Sequence, residues 1–159
     1  MSSDVELNSI GLLKRREIEA RILAPVVKAL ADAFGREPVL AVARAAIEDV
    51  ARTQGAELAQ QTGAKDMAAF RAAVEGWKHG GALELTVLHE DGRALDFDVT
   101  KCRYAQMYRE LGMEELGAIL SCSRDAAFAE GFNAELRLER SQTILDGAPR
   151  CDFRFRKNE

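Results

Sequence analysis

Three cysteines, Cys102, Cys122 and Cys151, are the residues of this 159-residue chain best equipped for covalent or metal chemistry. A thiolate is a strong nucleophile and a soft ligand, whereas a lone buried thiol is an inert small hydrophobe. Their wide separations match no common zinc-ligand spacing and no short-spaced disulfide framework. Cys102 follows Thr100, which reads as an N-cap, so the spacing predicts Cys102 in the first turn of a helix that directly follows a strand. Backbone N–H groups and the helix dipole at such a position lower a thiol pKa. Cys122 is expected at a helix end, within Ser121-Cys122-Ser123-Arg124-Asp125, and Cys151 on the inner face of the last strand.

A second constellation follows from strand register. The turn Asp146-Gly147-Ala148-Pro149 separates a run with Leu136, Leu138 and Ile144 from a run with Cys151, Phe153 and Phe155. Keeping both apolar faces together pairs Ile144 with Cys151, Gln142 with Phe153 and Arg140 with Phe155. Arg140 and Gln142 then share a face with apolar neighbours, and a buried guanidinium or amide is costly without a partner. One reading is a pocket floored by Arg140, Gln142 and Cys151, with the arginine gripping a carboxylate. The other is an open sheet face, or an internal ion pair with Glu110 or Glu130. His79 and His89 read as solvent-facing, and no phosphate-binding glycine loop is present.

The elements that must hold these residues fall into two halves. From Leu12 to Phe34 apolar residues recur at helical spacing, with Leu23, Val26, Val27, Leu30 and Phe34 as the stripe. Pro25 predicts a kink there, or two helices meeting at Ala24. Gly35 ends the segment, Pro38 opens a second helix running toward Gly63, and a third spans Asp66 to about Trp77. The period then falls to two. Leu83, Leu85 and Val87 are followed, across Glu90-Asp91-Gly92, by Leu95, Phe97 and Val99, a hairpin. Helical spacing returns at Tyr104, Met107, Tyr108 and Leu111, then from Met113 to about Leu120, and around Arg124 to Glu130. The reading is one α+β domain over 1–159, with a helical N-terminal half. Its antiparallel sheet consists of two hairpins, about 82–89/93–100 and 135–145/150–156, packed against helices.

Bulk properties bound the function. An apolar fraction of 47% with 30% charged residues is globular composition. A net charge of −4 argues against nucleic acid as a partner, and Arg150, Arg154, Arg156 and Lys157 read as a solvated edge. The first thirty residues hold no apolar run long enough for a signal peptide or membrane span. An odd number of cysteines fits a reducing compartment, so a cytoplasmic location is expected.

Several ordered blocks resemble one known family. They are Val99-Thr100-Lys101-Cys102-Arg103-Tyr104-Ala105-Gln106-Met107-Tyr108, Ser121-Cys122-Ser123-Arg124-Asp125, Gly131-Phe132-Asn133, Arg140-Ser141-Gln142-Thr143-Ile144 and Cys151-Asp152-Phe153-Arg154-Phe155. Together they are similar to the L-2-amino-thiazoline-4-carboxylic acid hydrolase family, Ser141 standing where that family leads one to expect threonine. The helical first half, with Arg15-Arg16-Glu17-Ile18-Glu19, is similar too. The closing hairpin more distantly resembles vinyl-reductase-type small-molecule-binding domains, which implies a helix-flanked sheet and admits a homodimer.

The resemblance implies hydrolytic opening of a five-membered cyclic isothiourea carboxylate to a carbamoyl-cysteine. Two mechanisms then fit the residues present. Cys102 as thiolate attacks the ring carbon, Asp125 handles protons, and Arg140 or Arg124 holds the carboxylate, with Gln142 and Thr100 as further substrate contacts. Alternatively Cys102, Cys122 and Cys151 share a zinc or iron ion, Asp125 helping, and a bound water attacks. A rival function is a non-enzymatic sensor or carrier that holds a small molecule, a metal or an iron–sulfur cluster with the same cysteines.

Overall fold

The computed structural model describes residues 9–158; residues 1–8 and 159, the ends of the expected domain and the start of the stretch read for a leader, lie outside the described residues. Helix α1 spans Leu12–Phe34, α2 Arg36–Thr62 and α3 Met67–Trp77. Gly35 and Gly63 punctuate them with φ of 93° and 69°, a region open to glycine and strained for other residues. Helix α1 runs unbroken through Pro25 rather than as two helices meeting at Ala24. Pro25 and Arg21 are both exposed, so the carbonyl that loses its donor is open to water.

The apolar stripe expected on α1 divides. Val26, Leu30 and Phe34 are 49%, 42% and 72% exposed, whereas Ala20 is fully buried and Leu23 and Val27 pack beside it. The inward stripe is Arg16, Ala20, Leu23 and Val27, equally well spaced but headed by a charge. Helical periodicity collects residues on a face without saying which face meets the core.

Strands β1 (Leu83–Glu90) and β2 (Ala94–Cys102) form the first hairpin, turned by Asp91, whose carboxylate accepts the N–H groups of Arg93 and Ala94 at 2.7 and 2.8 Å. Helix α4 (Arg103–Glu110) follows without a linker. A bent helical stretch comes next: α5 (Glu114–Gly117), a π turn over Ala118–Cys122, and α6 (Arg124–Phe132). Strands β3 (Leu136–Glu139) and β4 (Cys151–Lys157) complete an antiparallel sheet of order β1-β2-β4-β3. This is the α+β architecture that the change of period from 3.6 to 2 implies.

One sheet face carries the core. Leu95, Phe97 and Val99 of β2 and Phe153 and Phe155 of β4 pack against Phe70 and Val74 of α3 and Phe132 of α6. The other face alternates charges: Arg156 pairs with Asp96, and Arg154 and Arg150 with Asp98. The C-terminal cations are thus a solvated, internally paired face, worth little each in water.

The second hairpin is shorter than its apolar pattern. Strand β3 stops at Glu139 instead of about 145, and Leu138, not Arg140, stands opposite Phe155. The cause is Asp152, whose carboxylate accepts the backbone N–H groups of Ser141 and Gln142 at 3.0 and 2.9 Å and the Ser141 hydroxyl at 2.5 Å. Donors that would extend the ladder go to a side chain instead. Residues 140–150 become a loop, and the expected pairs Gln142–Phe153 and Ile144–Cys151 do not form as ladder pairs. Among the described residues no helix is long and apolar enough to cross a membrane.

Candidate active site

The strand-to-helix junction at Cys102 forms one wall of the site. Cys102 itself is the N-cap of α4, its sulfur accepting the Ala105 N–H at 3.3 Å. Thr100, read as that cap, lies two positions earlier in β2, exposed, with its hydroxyl directed to the Glu84 carbonyl at 3.5 Å. The sheet continues to Cys102 because Leu83 pairs with it, so the helix starts later than the threonine.

The π turn supplies the second wall. A wide turn closes through Ser123 N–H and the Ala118 carbonyl at 2.9 Å, inserting one extra residue into the helical stretch. Cys122 and Ser121 face the same interior, and Ser121 shares a 2.8 Å hydrogen bond with the Tyr108 hydroxyl. Strand β4 brings Cys151, whose sulfur accepts the Ile144 N–H at 3.1 Å.

These walls line a half-open cavity of about 830 Å3. Cys102, Cys122, Cys151, Arg124, Asp125 and Arg140 all line it, so residues far apart in sequence meet in one hollow. Gln142 and Thr100 do not line it. Gln142 is on the 140–150 loop, its backbone N–H held by Asp152.

Charge in the cavity is organised around one pair. Arg140 donates to the Asp125 carboxylate at 2.6 Å and to the Cys122 carbonyl at 2.9 Å. The ion-pair partner of Arg140 is therefore Asp125, not Glu110 or Glu130. Its guanidinium also lies 4.9 Å above the Phe153 ring, a cation–π contact. Burial pushes the Asp125 carboxyl above the ordinary aspartate range, and the adjoining Arg140 charge opposes that push. Burial acts to lower the Arg140 pKa, but Asp125 outweighs it and the guanidinium is held more firmly protonated.

Arg124 has different company. Helices α2 and α6 cross where Gly55 and Gly131 meet, and a Cβ at Gly131 would stand 1.9 Å from the Arg52 carbonyl oxygen. That approach sets the neutral Gln54 amide oxygen 2.5 Å from Arg124, which is only 7% exposed. Burial, with Arg16 nearby, lowers its pKa to about 10.

All three thiols are pushed upward, chiefly by burial. Cys122 reaches about 12, with the Asp125 charge adding to burial, and Cys151 about 11, with the Ile144 N–H opposing. Cys102 is raised as well, against two opposing backbone N–H donors, from Ala105 and Tyr104. The lowered thiol pKa expected for Cys102 is thus reversed, because burial outweighs the helix terminus.

Several cavity residues are not among the site residues expected from the sequence. Arg16 and Glu19 enter from α1, paired at 2.8 Å, and Trp77, Phe128, Tyr108 and Gln54 complete the walls. The charge at Arg16 on an otherwise apolar stripe was the available signal. His79 also reaches the cavity edge.

The sulfurs are not arranged as a ligand set. Among the described residues no three His, Cys, Asp or Glu side chains form a group that could hold a metal ion. Two of the sulfurs already accept backbone N–H bonds, and the three arise from a strand end, a π turn and a separate strand. Nor does any pair of them form a disulfide.

Comparison with known proteins gives one sequence-level match. A family model described as L-2-amino-thiazoline-4-carboxylic acid hydrolase matches residues 15–155. No curated protein matches the chain. Twelve chains of solved structures are similar in shape, and two of them show what such neighbours are. One is the phenol-responsive sensory domain of the transcription activator PoxR with phenol, at 13% identity and a TM-score of 0.49, covering 86% of this chain and 73% of that one. The other is trafficking protein particle complex subunit 3 from Naegleria fowleri covalently bound to palmitic acid, at 13% identity and a TM-score of 0.47, covering 91% and 96%.

Proposed function

This chain belongs to the L-2-amino-thiazoline-4-carboxylic acid hydrolase family, and on that premise we propose that it hydrolyses a small cyclic isothiourea or amidine carboxylate inside the cysteine-lined cavity. The observation that carries the reading is the convergence of Cys102, Asp125, Arg140 and Arg124 on one hollow.

The substrate carboxylate needs a cation that is not already neutralised. Arg140 is committed to Asp125, whereas Arg124 is buried against a neutral amide. The Glu19 and Asp125 charges offset only part of the cost of burying that guanidinium, and a substrate carboxylate in contact with it offsets the rest. We therefore assign the carboxylate to Arg124.

Cys102 is the nucleophile of this scheme. Its sulfur receives N–H bonds that stabilise an anion, which Cys122 lacks among the described residues. Asp125, whose charge reaches all three sulfurs, takes the thiol proton as the sulfur attacks the ring carbon bonded to nitrogen and sulfur. The ring bond at that carbon breaks, its electron pair leaves with the ring heteroatom, and Asp125 returns the proton there. Water, deprotonated by the same carboxylate, then attacks the enzyme-bound carbon and expels the Cys102 sulfur, which recovers a proton. One water is consumed and the product is a carbamoyl-cysteine. A carboxyl held above its usual range suits this shuttling near neutral pH.

The test is incubation of purified protein with 2-amino-thiazoline-4-carboxylate, read by mass spectrometry. Turnover, with one oxygen from labelled water in the product and loss of at least about a hundredfold in Cys102→Ser, is the expected result. A wild-type protein that binds this compound without converting it sinks the hydrolytic reading. One observation favours a second reading, a small-molecule sensor or carrier: all three thiols are held protonated. Unchanged ligand affinity in Cys102→Ser, with no turnover by the wild type, is its signature.

A further inference from the structure

We infer that the cavity holds a second, apolar subsite, so that its substrate carries a sizeable apolar substituent on the heterocyclic carboxylate. The inference rests on the hydrolytic reading for the identity of the head group and on the cavity alone for the substituent.

Volume comes first. At liquid water's roughly 30 Å3 per heavy atom, the roughly nine heavy atoms of the parent thiazoline carboxylate fill about 270 Å3. The cavity measures about 830 Å3. Most of the hollow is left over, and its total is that of sites which enclose larger organic molecules.

Lining comes second. Asp125, Arg140 and Arg124 form a charged part of the lining. Phe128 follows Arg124 one turn on along α6, and Trp77, Phe153 and Leu58 line the same hollow, with Glu57 and Gln61 flanking Leu58 on α2. These rings form one surface: Trp77 meets Phe128 edge-on at 6.0 Å and Phe153 at 6.3 Å. Phe153 is also the ring beneath Arg140, so the apolar wall adjoins the charged part. Covering an aromatic wall of this kind with an apolar group gains free energy in proportion to the area covered.

Shape comes third. Gly76 of α3 lines the same cavity, and a Cβ built there meets nothing within 4 Å. Gly76 is exposed, so the cavity is open to solvent at this rim beside Trp77.

Trp77 is the sole tryptophan of the chain, so its fluorescence reports occupancy of this wall without competing signals. The binding probes are 2-aminothiazole-4-carboxylate, whose aromatic ring resists opening, and its 5-phenyl and N-phenyl derivatives. At least one phenyl derivative is expected to bind at least about tenfold more tightly than the parent, since even a methylene in an apolar pocket is worth about tenfold. Phe128→Ala removes the ring that meets Trp77 and leaves the charged side chains of the site in place. It should abolish that gain while the parent compound binds as before.

Equal affinity for parent and both phenyl derivatives overturns the subsite. So does a gain that survives Phe128→Ala. Neither result touches the hydrolytic reading, which fails separately if the parent thiazoline is bound but never opened. In turnover, the matching thiazoline derivative should raise kcat/KM over the parent by the same factor as it raises affinity.

Discussion

Arg140 reaches back from the loop after β3 to place one guanidinium nitrogen 2.6 Å from the carboxylate of Asp125, on the first turn of α6. That contact ties the π-turn helix to the sheet edge, since the same guanidinium also takes the Cys122 carbonyl. The side chains keep 15% and 21% of their surface, so the pair is largely desolvated. A desolvated pair is expensive to break from one side and cheap to replace as a whole.

Arg140→Met therefore strands Asp125 in the cavity. Urea unfolding should show a loss of about 2–3 kcal/mol, somewhat below the figure for a fully buried pair because the carboxylate retains some solvent. The double variant Arg140→Met/Asp125→Leu should recover most of that stability and none of the turnover. Equal stability losses in the single and double variants would show that the pair is not what holds these elements together.

Asp125 sets an acid limb. Its folded carboxyl is raised above the ordinary range, chiefly by burial, so as pH falls it takes up its proton at a higher pH than a free aspartate. A protonated Asp125 cannot accept the Cys102 proton, and kcat/KM should decline with falling pH before the usual aspartate range is reached. Asp125→Asn should remove the limb together with most of the rate, whereas Asp152→Asn should leave its position unchanged. A wild-type profile flat down to the ordinary carboxylate range contradicts the assignment.

The thiols make a separate claim about stability. Each folded pKa lies above its unfolded value, Cys122 at about 12 and Cys151 at about 11 against an ordinary 9.0. Below pH 9 both states are protonated and the contribution is fully present. As pH rises beyond that, the unfolded chain releases protons that the folded chain retains, so stability falls until the folded values are reached. Denaturant unfolding between about pH 8 and 10.5 should show a downward slope, shallower in Cys122→Ala by about 1.4 kcal/mol per pH unit where the unfolded thiol is fully ionised. An unchanged slope in that variant would mean that the thiol is far better solvated than its surroundings imply.

The sheet was legible wherever local pattern decided the structure. Leu83 to Val99 alternates around Asp91-Gly92, and the hairpin forms there, running on to Cys102 with two register shifts in β1. Legibility failed where a side chain competed with the backbone. Asp152 drew two amides out of the second hairpin, and Cys102 took the cap position that Thr100 resembles. Convergence of Cys102 and Cys151 with the Cys122–Asp125 segment follows from the family resemblance, because spacing alone does not bring these three parts of the chain together. Arg16 and Gln54 were missed for another reason. Their roles depend on how α1 and α2 pack, and the Gly55–Gly131 approach that governs one of these crossings is visible only in three dimensions.

Asp152 is the residue on which the loop geometry turns, and it is testable without touching the cavity. It lies on β4 beside the cavity-lining Phe153, but its own side chain points to the other face, where one carboxylate oxygen holds two successive amides and the second holds the Ser141 hydroxyl. These bonds lower its pKa against the opposing effect of desolvation, so their contribution is present above the unfolded value and is lost as pH falls through the folded one. Asp152→Ala frees the Ser141 and Gln142 amides, and with them the segment that carries Arg140. Hydrogen exchange at those two amides should accelerate at neutral pH, with a global loss of only about 1–2 kcal/mol because the site is open to water. The kinetic consequence should be a lower kcat with the acid limb moved to higher pH, since Arg140, which opposes the upward push on Asp125, is held less well. Unaltered exchange at both amides would mean that the loop is fixed by the Thr143–Asp146 contacts instead, and that Asp152 merely follows it.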